Sequence, residues 1–570
     1  MDRKAFLNTL LAPPFKKKSG AGSAIPATPA RQEETPLYLR SGVTPYPGSW
    51  TENEVIHLLK RLQFGAPKEE VDYFKTLTYT QAVDLLLNTT NPNPGFPIKT
   101  YTLDPVNTPR TDPDWSISSG NTWVNIQSND GSVNSGRRTS SKGWWFHLMI
   151  NQPRSIEEKM VLFWANHFSV EFDTVNYGTY IYKHLNTIRN HSLGNFKALT
   201  KAITLEASML TYLNGYLNTR TAPDENYARE LLELFTLGKG PGSQYTEQDV
   251  QAAAKVLTGY RITNATSTYF FDSSRHDTTN KQFSGFFNGT IINGIAGGGG
   301  ATELDSLLNM IFEQEEVSKF ISRCLYRFFV YGNISADVEI NVITPMAAAF
   351  RAANYDIKPV LELLFKSEHF FDVLTQGAMI KSPLDYIVGQ VREFKLRFPP
   401  ASNAIVYYKM LGYLLGNAAT QDQNLGDPPN VSGWAAYYQD PIYDKSWINT
   451  DTYTKRLLHN TSMLGGYTNT NQKIQLDWIS FAKRMTNPGD PNILVQDFVT
   501  YLLRMPLSQA ARDRIKSDTL LTGQTTDSYW TTAWNNYITN PGNSLNFSDV
   551  NTRLLSLCKY IINVEEYHLM

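Results

Sequence analysis

Apolar residues recur at every third or fourth position through most of the chain from Trp50 onwards. This spacing places apolar side chains on one face of an α-helix. The pattern is strongest between Trp144 and Tyr260, and it resumes at Glu303. It predicts a mainly α protein: a large, bundle-like assembly of many helices with long polar loop insertions and one candidate for a small β hairpin.

The first helix is predicted to begin near Trp50 and to end at Gly65. Thr51 and Glu54 have the spacing of a capping box, and glycine often follows the last turn of a helix. Comparable patterns predict further helices along the rest of the chain. These are expected from about residue 67 and at 81–87, 303–312, 316–330, 338–353, 357–365, 383–394, 406–415, 452–460, 493–503 and 554–562.

Two polar segments interrupt the helical pattern. Residues 91–142 are rich in Asn, Ser, Thr, Gly and Pro, and residues 263–303 are irregular. Loops of this length inside a domain are usually functional or inserted. We therefore predict a flexible arm at 1–48 and a single helical domain at 49–570. Both polar segments are insertions into this domain, and 304–570 is its C-terminal helical half.

The candidate β hairpin lies in the first insertion. Residues 122–127 read TWVNIQ, which is compatible with one strand. Asn129, Asp130 and Gly131 follow, and this composition is typical of a hairpin turn. The hairpin is therefore predicted to turn at these three residues.

Charge and composition restrict the classes of partner. The chain has 570 residues with 52 Lys and Arg against 53 Asp and Glu, a net charge of −1. Nucleic-acid binding needs a concentrated basic face, so no nucleic-acid partner is expected. Aromatic residues make up 12% and charged residues 18%, a balance that suits an exported protein. No apolar run is long enough for a transmembrane helix, so none is expected.

The N-terminal residues bear on location. Residues 2–7 read DRKAFL and resemble a degraded twin-arginine export signal, with Lys4 in the place of the second arginine. The apolar segment that a working signal needs does not follow. No intact signal peptide is therefore predicted. Together with the composition, this favours the cell envelope or an exported location over the cytoplasm.

The segment 224–238, DENYARELLELFTLG, is the most clearly patterned helix of the chain. At helical spacing its apolar residues fall on one arc and its charged residues on the other. Arg229 and Glu233 are four residues apart, which predicts an ion pair. Gly238 stands where a left-handed residue closes a helix. The polar arc is either a solvated ion-pair face or a buried polar site.

Histidines and carboxylates carry the candidate chemistry, because the sequence lacks the common phosphate-binding, zinc-protease and serine-hydrolase motifs. Two His and two Glu from the helices of a bundle would bind a divalent metal. The candidate ligands are His167, His191, Glu230 and Glu233. The candidate catalytic residues are Arg229, Glu230, Glu233, His276 and Asp277. The alternative is that the carboxylates form ion pairs and the histidines cap helices or satisfy hydrogen bonds in the core.

A second strong local pattern is DPPNVSGW at 427–434. Pro428 and Pro429 stiffen the backbone, Gly433 permits a tight turn and Trp434 supplies a large anchor. We favour a rigid loop that clamps the C-terminal helices over the alternative, a substrate groove.

Several of these segments occur in an order that resembles a known family. They are HLLKRLQFG at 57–65, FWANHF at 163–168, IRNHSLGNF at 188–196, ENYARELLELFTLG at 225–238, HDTTNKQFSG at 276–285, DPPNVSGW at 427–434 with WINTDTYTKR at 447–456, and EEYHLM at 565–570. From about residue 50 to its C-terminus, the chain resembles the bacterial domain of unknown function eighteen-hundred family. Its Asn- and Thr-rich insertions are most similar to members from the Bacteroidota.

The resemblance implies a location and a partner rather than a reaction. The family has no established activity, and many members carry twin-arginine signals. Their genes often neighbour those of proteins related to alkaline phosphatases and sulfatases, which implies a partner of that superfamily. The family pattern usually has a histidine where this chain has Phe235. Because Phe235 lies on the apolar arc, a packing role is predicted, which weakens the metal hypothesis for this helix.

Two functions therefore stay open at the level of sequence. The favoured one is a non-enzymatic partner or assembly protein of the cell envelope, acting beside an exported alkaline phosphatase- or sulfatase-like protein. The alternative is a metal-dependent or hydrolase-like enzyme that uses the His and Glu residues named above.

Overall fold

The computed structural model describes residues 41–102, 112–400 and 403–570, and this part of the chain is mainly helical. The helices of the N-terminal half are α1 Glu52–Leu62, α2 Lys68–Phe74, α3 Tyr79–Asn88, α4 Gly131–Ile150, α5 Glu157–His167, α6 Phe172–Val175, α7 Gly178–His191, α8 Phe196–Thr204, α9 Ala207–Tyr212, α10 Asn226–Glu230 and α11 Glu247–Val256. A π-helical segment, Leu231–Thr236, continues α10. The predicted mainly α fold is confirmed.

Within its described residues, the C-terminal half adds thirteen α-helices to those of the first half. They are α12 Glu303–Glu313, α13 Glu315–Phe329, α14 Ala336–Val338, α15 Thr344–Ala352, α16 Ile357–Phe365, α17 Pro383–Glu393, α18 Ala404–Thr420, α19 Thr450–Gly465, α20 Trp478–Lys483, α21 Pro491–Leu502, α22 Gln509–Thr519, α23 Ser528–Thr539 and α24 Ser544–Ile562. A second π-helical segment, Glu339–Ile343, joins α14 to α15.

Local sequence explains where several helices begin. The predicted capping box is present at α1, where the backbone N–H of Thr51 donates to Glu54 at 3.1 Å. Each such contact satisfies a backbone group that the first turn of a helix leaves without a partner. The same motif opens α3 at Thr78 and α11 at Thr246.

The β structure consists of three antiparallel two-stranded hairpins in the described residues. They pair β1 Tyr260–Thr263 with β2 Thr268–Phe271, β3 Lys281–Gln282 with β4 Ile291–Ile292, and β5 Tyr467–Asn469 with β6 Gln472–Ile474. In the first hairpin Tyr260 stands opposite Phe271.

The hairpin predicted around residues 122–131 is wrong. Residues 122–127 form no strand beyond a single bridge between Thr122 and Ile98. Asp130 does not lie in a turn between strands; it caps α4 by accepting hydrogen bonds from the backbone of Ser132 at 2.8 Å and Val133 at 3.0 Å. An aspartate before a helix is a strong N-cap, and here it outweighs the turn signal of the Asn-Asp-Gly sequence.

The first polar insertion is consequently shorter than predicted, because α4 already begins at Gly131. The insertion has a small hydrophobic cluster of its own, formed by Ile117, Trp123 and Val124. The second insertion keeps its predicted irregular character but contains β2, β3 and β4. The two insertions meet over α7, where the hydroxyl of Ser267 donates to Gln127 Oε1 at 3.4 Å.

One hydrophobic core extends from Val55 to Tyr567 through both halves of the chain. Polar contacts also join distant segments, such as the hydrogen bond of 2.6 Å from the Tyr501 hydroxyl to Glu52. A core that draws on the whole chain is what a single domain requires, and the single domain at 49–570 stays a prediction. None of the described helices is long and apolar enough to span a bilayer.

Residues 1–40 of the predicted flexible arm lie outside the described residues. The part of the arm that is described makes several contacts with the folded chain. The Ser41 hydroxyl donates to Asp372 at 2.8 Å, and the backbone N–H of Tyr46 donates to the carbonyl of Lys366 at 2.9 Å. The last residues of the arm predicted at 1–48 thus contact the segment that follows α16, and the flexible arm stays a prediction.

Candidate functional site

The polar arc of the 224–238 segment is a solvated ion-pair face around Arg229. Arg229 Nη2 lies 3.1 Å from Glu225, and Arg229 Nη1 lies 2.9 Å from Glu247 at the start of α11. The hydrogen bond with Glu247 raises the pKa of Arg229. The predicted pair between Arg229 and Glu233 is not formed; Glu233 pairs instead with Lys239. Because the side chain of Arg229 is more than a third exposed, these pairs contribute little to stability.

Glu230 differs from its neighbours on this arc. It is half-buried, and its Oε2 atom has no hydrogen-bond partner. Burial raises the pKa of Glu230, and the adjacent charge of Glu233 raises it further. A carboxyl group with a raised pKa is a candidate acid or base. Among the described residues, however, Glu230 belongs to no group of three or more His, Cys, Asp or Glu side chains that could hold a metal ion.

The predicted apolar arc and the predicted end of this helix are confirmed. Phe235 is fully buried, and its ring lies 5.2 Å from that of Phe168, so this position packs the core. The last turns are π-helical, with the backbone N–H of Leu237 donating to the carbonyl of Leu232 at 2.9 Å. Gly238 follows with φ +74°.

His167 belongs to the aromatic core. Its Nε2 atom lies 2.9 Å from the carbonyl oxygen of Phe235, to which the ring nitrogen donates. Burial lowers the pKa of His167 to about 4, although the Phe235 carbonyl opposes that shift. The ring is therefore neutral at physiological pH and packs against Phe163 and Trp164.

His191 shares α7 with a second histidine, His184, but the two rings have different surroundings. His191 is half-buried, and its Nδ1 atom lies 2.9 Å from the carbonyl oxygen of Thr187 in the same helix. His184 is buried, and burial lowers its pKa to about 4. Each ring thus has its own local environment.

The four proposed metal ligands are consequently not brought together. Within the ranges that the structure describes, no group of three or more His, Cys, Asp or Glu side chains is placed to hold a metal ion. Nε2 of His167 and Nδ1 of His191 are each bonded to a backbone carbonyl instead. The arrangement that the metal hypothesis needs is therefore not formed by His167, His191, Glu230 and Glu233.

The structure does bring together the other predicted pair, His276 and Asp277, with two further charges. We call this set the motif cluster; it consists of Thr258, His276, Asp277, Lys281 and Glu303. The cluster joins the end of α11, the second insertion and the first residue of α12. His276 and Glu303 are completely buried.

Ion pairs organise the motif cluster. His276 Nε2 lies 3.0 Å from Glu303 Oε1, and Lys281 Nζ lies 2.6 Å from Glu303 Oε2. His276 Nδ1 lies 2.9 Å from the carbonyl oxygen of Thr258. The hydroxyl of Thr258 also lies 3.1 Å from Nδ1. The Glu303 carboxylate thus lies between the buried ammonium of Lys281 and the ring of His276.

Asp277 completes the motif cluster through its backbone as well as its side chain. Its N–H donates to the Thr258 hydroxyl at 2.8 Å, and its carbonyl accepts from Lys281. Burial favours a higher pKa for Asp277, but hydrogen bonds from Thr279 and the charge of Lys281 lower it overall. A buried, fully bonded network of this kind fixes the insertion to the helices.

Sequence reasoning missed a second buried set of charges. We call it the central charge cluster, and it consists of Lys60, Arg61, Lys159, Lys381, Asp385, Glu393 and Arg456. Lys60 Nζ lies 2.7 Å from Glu393 Oε1. Lys159 pairs with Asp385. The sequence does contain a signal for this cluster, because Lys60 and Arg61 lie inside an apolar stretch of α1. A solvated face of that helix would not include both residues.

The other three cations of the central charge cluster bond to backbone carbonyls. Arg61 donates to Thr375 at 2.6 Å, Arg456 donates to Lys381 at 2.8 Å, and Lys381 donates to Tyr567 at 2.6 Å. Burial lowers the pKa of Arg61 to about 9 and that of Arg456 to about 10. Burial and the charge of Lys60 lower the pKa of Lys381 to about 7.

A lysine with a pKa near 7 has the proton affinity of a general base. The space beside Lys381 is bounded by Lys60, Asp385 and Glu393 and has a volume of about 10 Å³. Such a space holds about one water molecule. The central charge cluster therefore has room for water but not for a substrate.

The loop at 427–434 clamps α5 and the segment after it. The backbone N–H of Trp434 donates to Asn166 Oδ1 at 2.8 Å, and the hydroxyl of Ser169 donates to the carbonyl of Val431 at 2.8 Å. Gly433 has φ +82°, and a Cβ atom there would lie 2.3 Å from Asn166 Oδ1. The predicted clamp is thus present, but it holds helices of the N-terminal half rather than those that follow it.

These observations define a mainly helical protein in which the motif cluster and the loop at 427–434 bond to distant segments of the chain. The chain belongs to the family described as protein of unknown function (DUF1800), which it matches over residues 57–567. Comparison with curated proteins and with solved structures finds no match.

Proposed function

We propose that this protein is a non-enzymatic partner or assembly protein of the cell envelope, acting beside an exported protein of the alkaline phosphatase/sulfatase-like superfamily. The observation that carries the proposal is a contrast between two sets of side chains. Most of the candidate catalytic and metal-binding residues bond within the fold, as in the buried motif cluster. The two insertions, in contrast, present large apolar side chains to solvent.

The exposed apolar side chains lie close to the place where the insertions meet. Ile126 is 47% exposed and precedes Gln127, which contacts Ser267 of the second insertion. Tyr269 and Phe270 follow Ser267 on strand β2 and are each 45% exposed. Aromatic residues are enriched at protein interaction sites, and the adjacent Tyr269 and Phe270 present one exposed ring on each face of the hairpin. We call Ile126, Tyr269 and Phe270 the insertion surface.

The hairpin that carries Tyr269 and Phe270 is held in place by packing and by a hydrogen bond. Tyr260 packs on Phe271 with ring centroids 5.2 Å apart, and the hydroxyl of Tyr180 on α7 donates to Asn264 in the turn at 2.6 Å. A rigid platform of this kind lowers the entropy that binding would cost. The choice of partner rests on the resemblance to the family, whose genes neighbour those of phosphatase- and sulfatase-like proteins.

Affinity capture from the native host tests this proposal. The full chain with a C-terminal tag is compared with a Tyr269→Ser/Phe270→Ser double variant and with Leu545→Ser. Leu545 is 78% exposed and lies on α24, so it controls for the loss of an exposed apolar side chain elsewhere.

We expect mass spectrometry to identify a phosphatase- or sulfatase-like protein with the wild type and with Leu545→Ser, and at least tenfold less of it with the double variant. Interface residues of this kind often contribute about 1–2 kcal/mol each. The proposal is contradicted if no protein of that superfamily is captured, or if the double variant captures it as well as the wild type does.

A further inference from the structure

A groove beside the start of α1 carries a chemistry that the partner role does not use. It lies between residues 373–376, the last turns of α21 and residues 503–506, and it has a volume of about 480 Å³. Sites for small ligands usually have volumes of about 300–1,000 Å³. The groove is therefore large enough for a small organic molecule.

The walls of this groove are largely apolar and its rim is polar. The apolar lining consists of Val373, Val499, Leu503, Met505 and Pro506. The polar lining, apart from one cation, consists of Asn53, Gln376, Gln496 and Thr500. Val373 is 73% exposed, so this wall is already open to solvent in the folded chain.

The cation in the lining is Arg504, which is only 6% exposed. Its Nη2 atom donates to Gln376 Oε1 at 3.3 Å, and its Nε atom is buried without a hydrogen-bond partner. Among the described residues, no carboxylate lies within ion-pair distance of Arg504. A buried guanidinium that lacks a carboxylate partner is costly, so its presence calls for an anionic partner.

Neighbouring charges strengthen this positive potential. Burial lowers the pKa of Arg504 to about 10, and only the more distant charge of Glu54 opposes that shift. Arg504 in turn lowers the pKa of Lys60 and Arg61 in the central charge cluster, after the larger effect of burial. The end of the groove at Arg504 is thus electrostatically positive.

We propose that this groove binds a monocarboxylate that carries a short apolar chain. The guanidinium of Arg504 pairs with the carboxylate, since its planar fork of donors fits two carboxylate oxygens. The apolar chain packs between Val373, Leu503 and Met505. Either a free acyl acid or the C-terminus of a peptide with an apolar last residue presents this chemistry.

Binding measurements on the purified full chain test the inference. The probes are octanoate and N-acetyl-alanyl-leucine, each compared with its uncharged amide, and calorimetry reports the affinity. The variants are Arg504→Gln, which removes the charge, and Val373→Trp, which fills the groove from its exposed wall. Arg514→Gln is the matched control, because Arg514 is a largely exposed arginine on the adjacent helix α22.

We expect at least one carboxylate probe to bind the wild type and Arg514→Gln, and its amide to bind about tenfold more weakly or not at all. Arg504→Gln should weaken the carboxylate by a similar factor. Val373→Trp should abolish binding while circular dichroism and the melting temperature stay as in the wild type. This variant keeps the test decisive even if the buried Arg504→Gln chain folds poorly.

The two probes separate the sources of the carboxylate. Tighter binding of octanoate assigns the groove to an acyl acid, and tighter binding of the dipeptide assigns it to a chain terminus. The inference is overturned if neither carboxylate binds, if an amide binds as tightly as its acid, or if Val373→Trp binds like the wild type. The Tyr269→Ser/Phe270→Ser variant should bind the probes normally, so the outcome is independent of the partner role.

Discussion

At the scale of single residues, the sequence motifs identify charged side chains that form ion pairs, but they do not identify the partners of those side chains. Arg229 was predicted to pair with Glu233 from their spacing, yet it bonds to Glu225 and to Glu247 from the next helix. Helical spacing identifies which side chains can meet within one helix. It carries no information about a second helix that approaches the same face.

The motif cluster shows the same limit at a buried site. His276, Asp277 and Lys281 stand within six residues of one another in the sequence, whereas Glu303 lies at the far end of the insertion. From the sequence, His276 and Asp277 are candidate catalytic residues. The structure shows that Glu303 joins them in a buried network. Glu303, the residue that determines the role of this motif, thus lies outside the motif itself.

Replacing Glu303 tests how much this network contributes to stability. Glu303→Gln removes the negative charge between Lys281 and the ring of His276 and leaves the buried ammonium of Lys281 without this carboxylate partner. We expect a loss of about 3–5 kcal/mol in the free energy of unfolding, measured by chemical denaturation. Glu313→Gln, at the exposed end of the same helix, should change it by less than about 0.5 kcal/mol. Equal effects of the two substitutions would contradict the network.

At the scale of elements, the positions of most helices followed from the pattern of apolar residues. α1 and its capping box are clear cases, and Gly238 stands where predicted. The pattern did not predict α22. Only Ile515 and Thr519 of this helix are buried, and two buried positions give almost no periodic signal in the sequence. It also misplaced the hairpin, since the Asn-Asp-Gly sequence that resembles a turn equally well precedes a helix.

Gly238 permits a direct test of the predicted helix end. Its φ of +74° is unfavourable for residues with a side chain, and a Cβ atom would lie 2.6 Å from Phe320. We therefore expect Gly238→Ala to lower the free energy of unfolding by about 1–3 kcal/mol.

Gly240→Ala is the matched control for this helix end. A Cβ atom there would have only Glu316 within contact distance, at 3.8 Å. Thermal denaturation of both variants should show a lower melting temperature for Gly238→Ala alone. If Gly240→Ala were as unstable, the left-handed conformation at 238 would not be the cause.

At the scale of the whole molecule, the chain buries histidines in its core as neutral rings. Burial holds the pKa of His167 and His184 near 4, and burial together with the charge of Arg456 holds that of His459 near 3. In the unfolded chain the usual value is about 6.5. Between these values the unfolded chain binds protons that the folded chain does not. Stability must therefore fall as the pH drops from about 6.5 towards 4.

His167→Gln isolates one part of this acid sensitivity. Because the pKa of His167 is about 4 in the folded chain, this residue alone should lower the free energy of unfolding by about 2 kcal/mol when the pH falls from 7 to 5. Glutamine can still donate to the carbonyl of Phe235 but does not titrate. Chemical denaturation at both pH values should show that the free energy of unfolding decreases by about 2 kcal/mol less in the variant than in the wild type. If the decrease were the same in both proteins, His167 would be protonated in the folded chain.

The clamp between Asn166 and the loop at 427–434 has an evolutionary consequence. The Asn166 side chain accepts the N–H of Trp434 and fills the space that Gly433 leaves by having no side chain. A larger residue at either position would collide with the other, and a smaller one at 166 would leave the loop without its anchor. Residues 166 and 433 should therefore covary among members of the family. Members without an asparagine at 166 should also have a different sequence in the loop at 427–434.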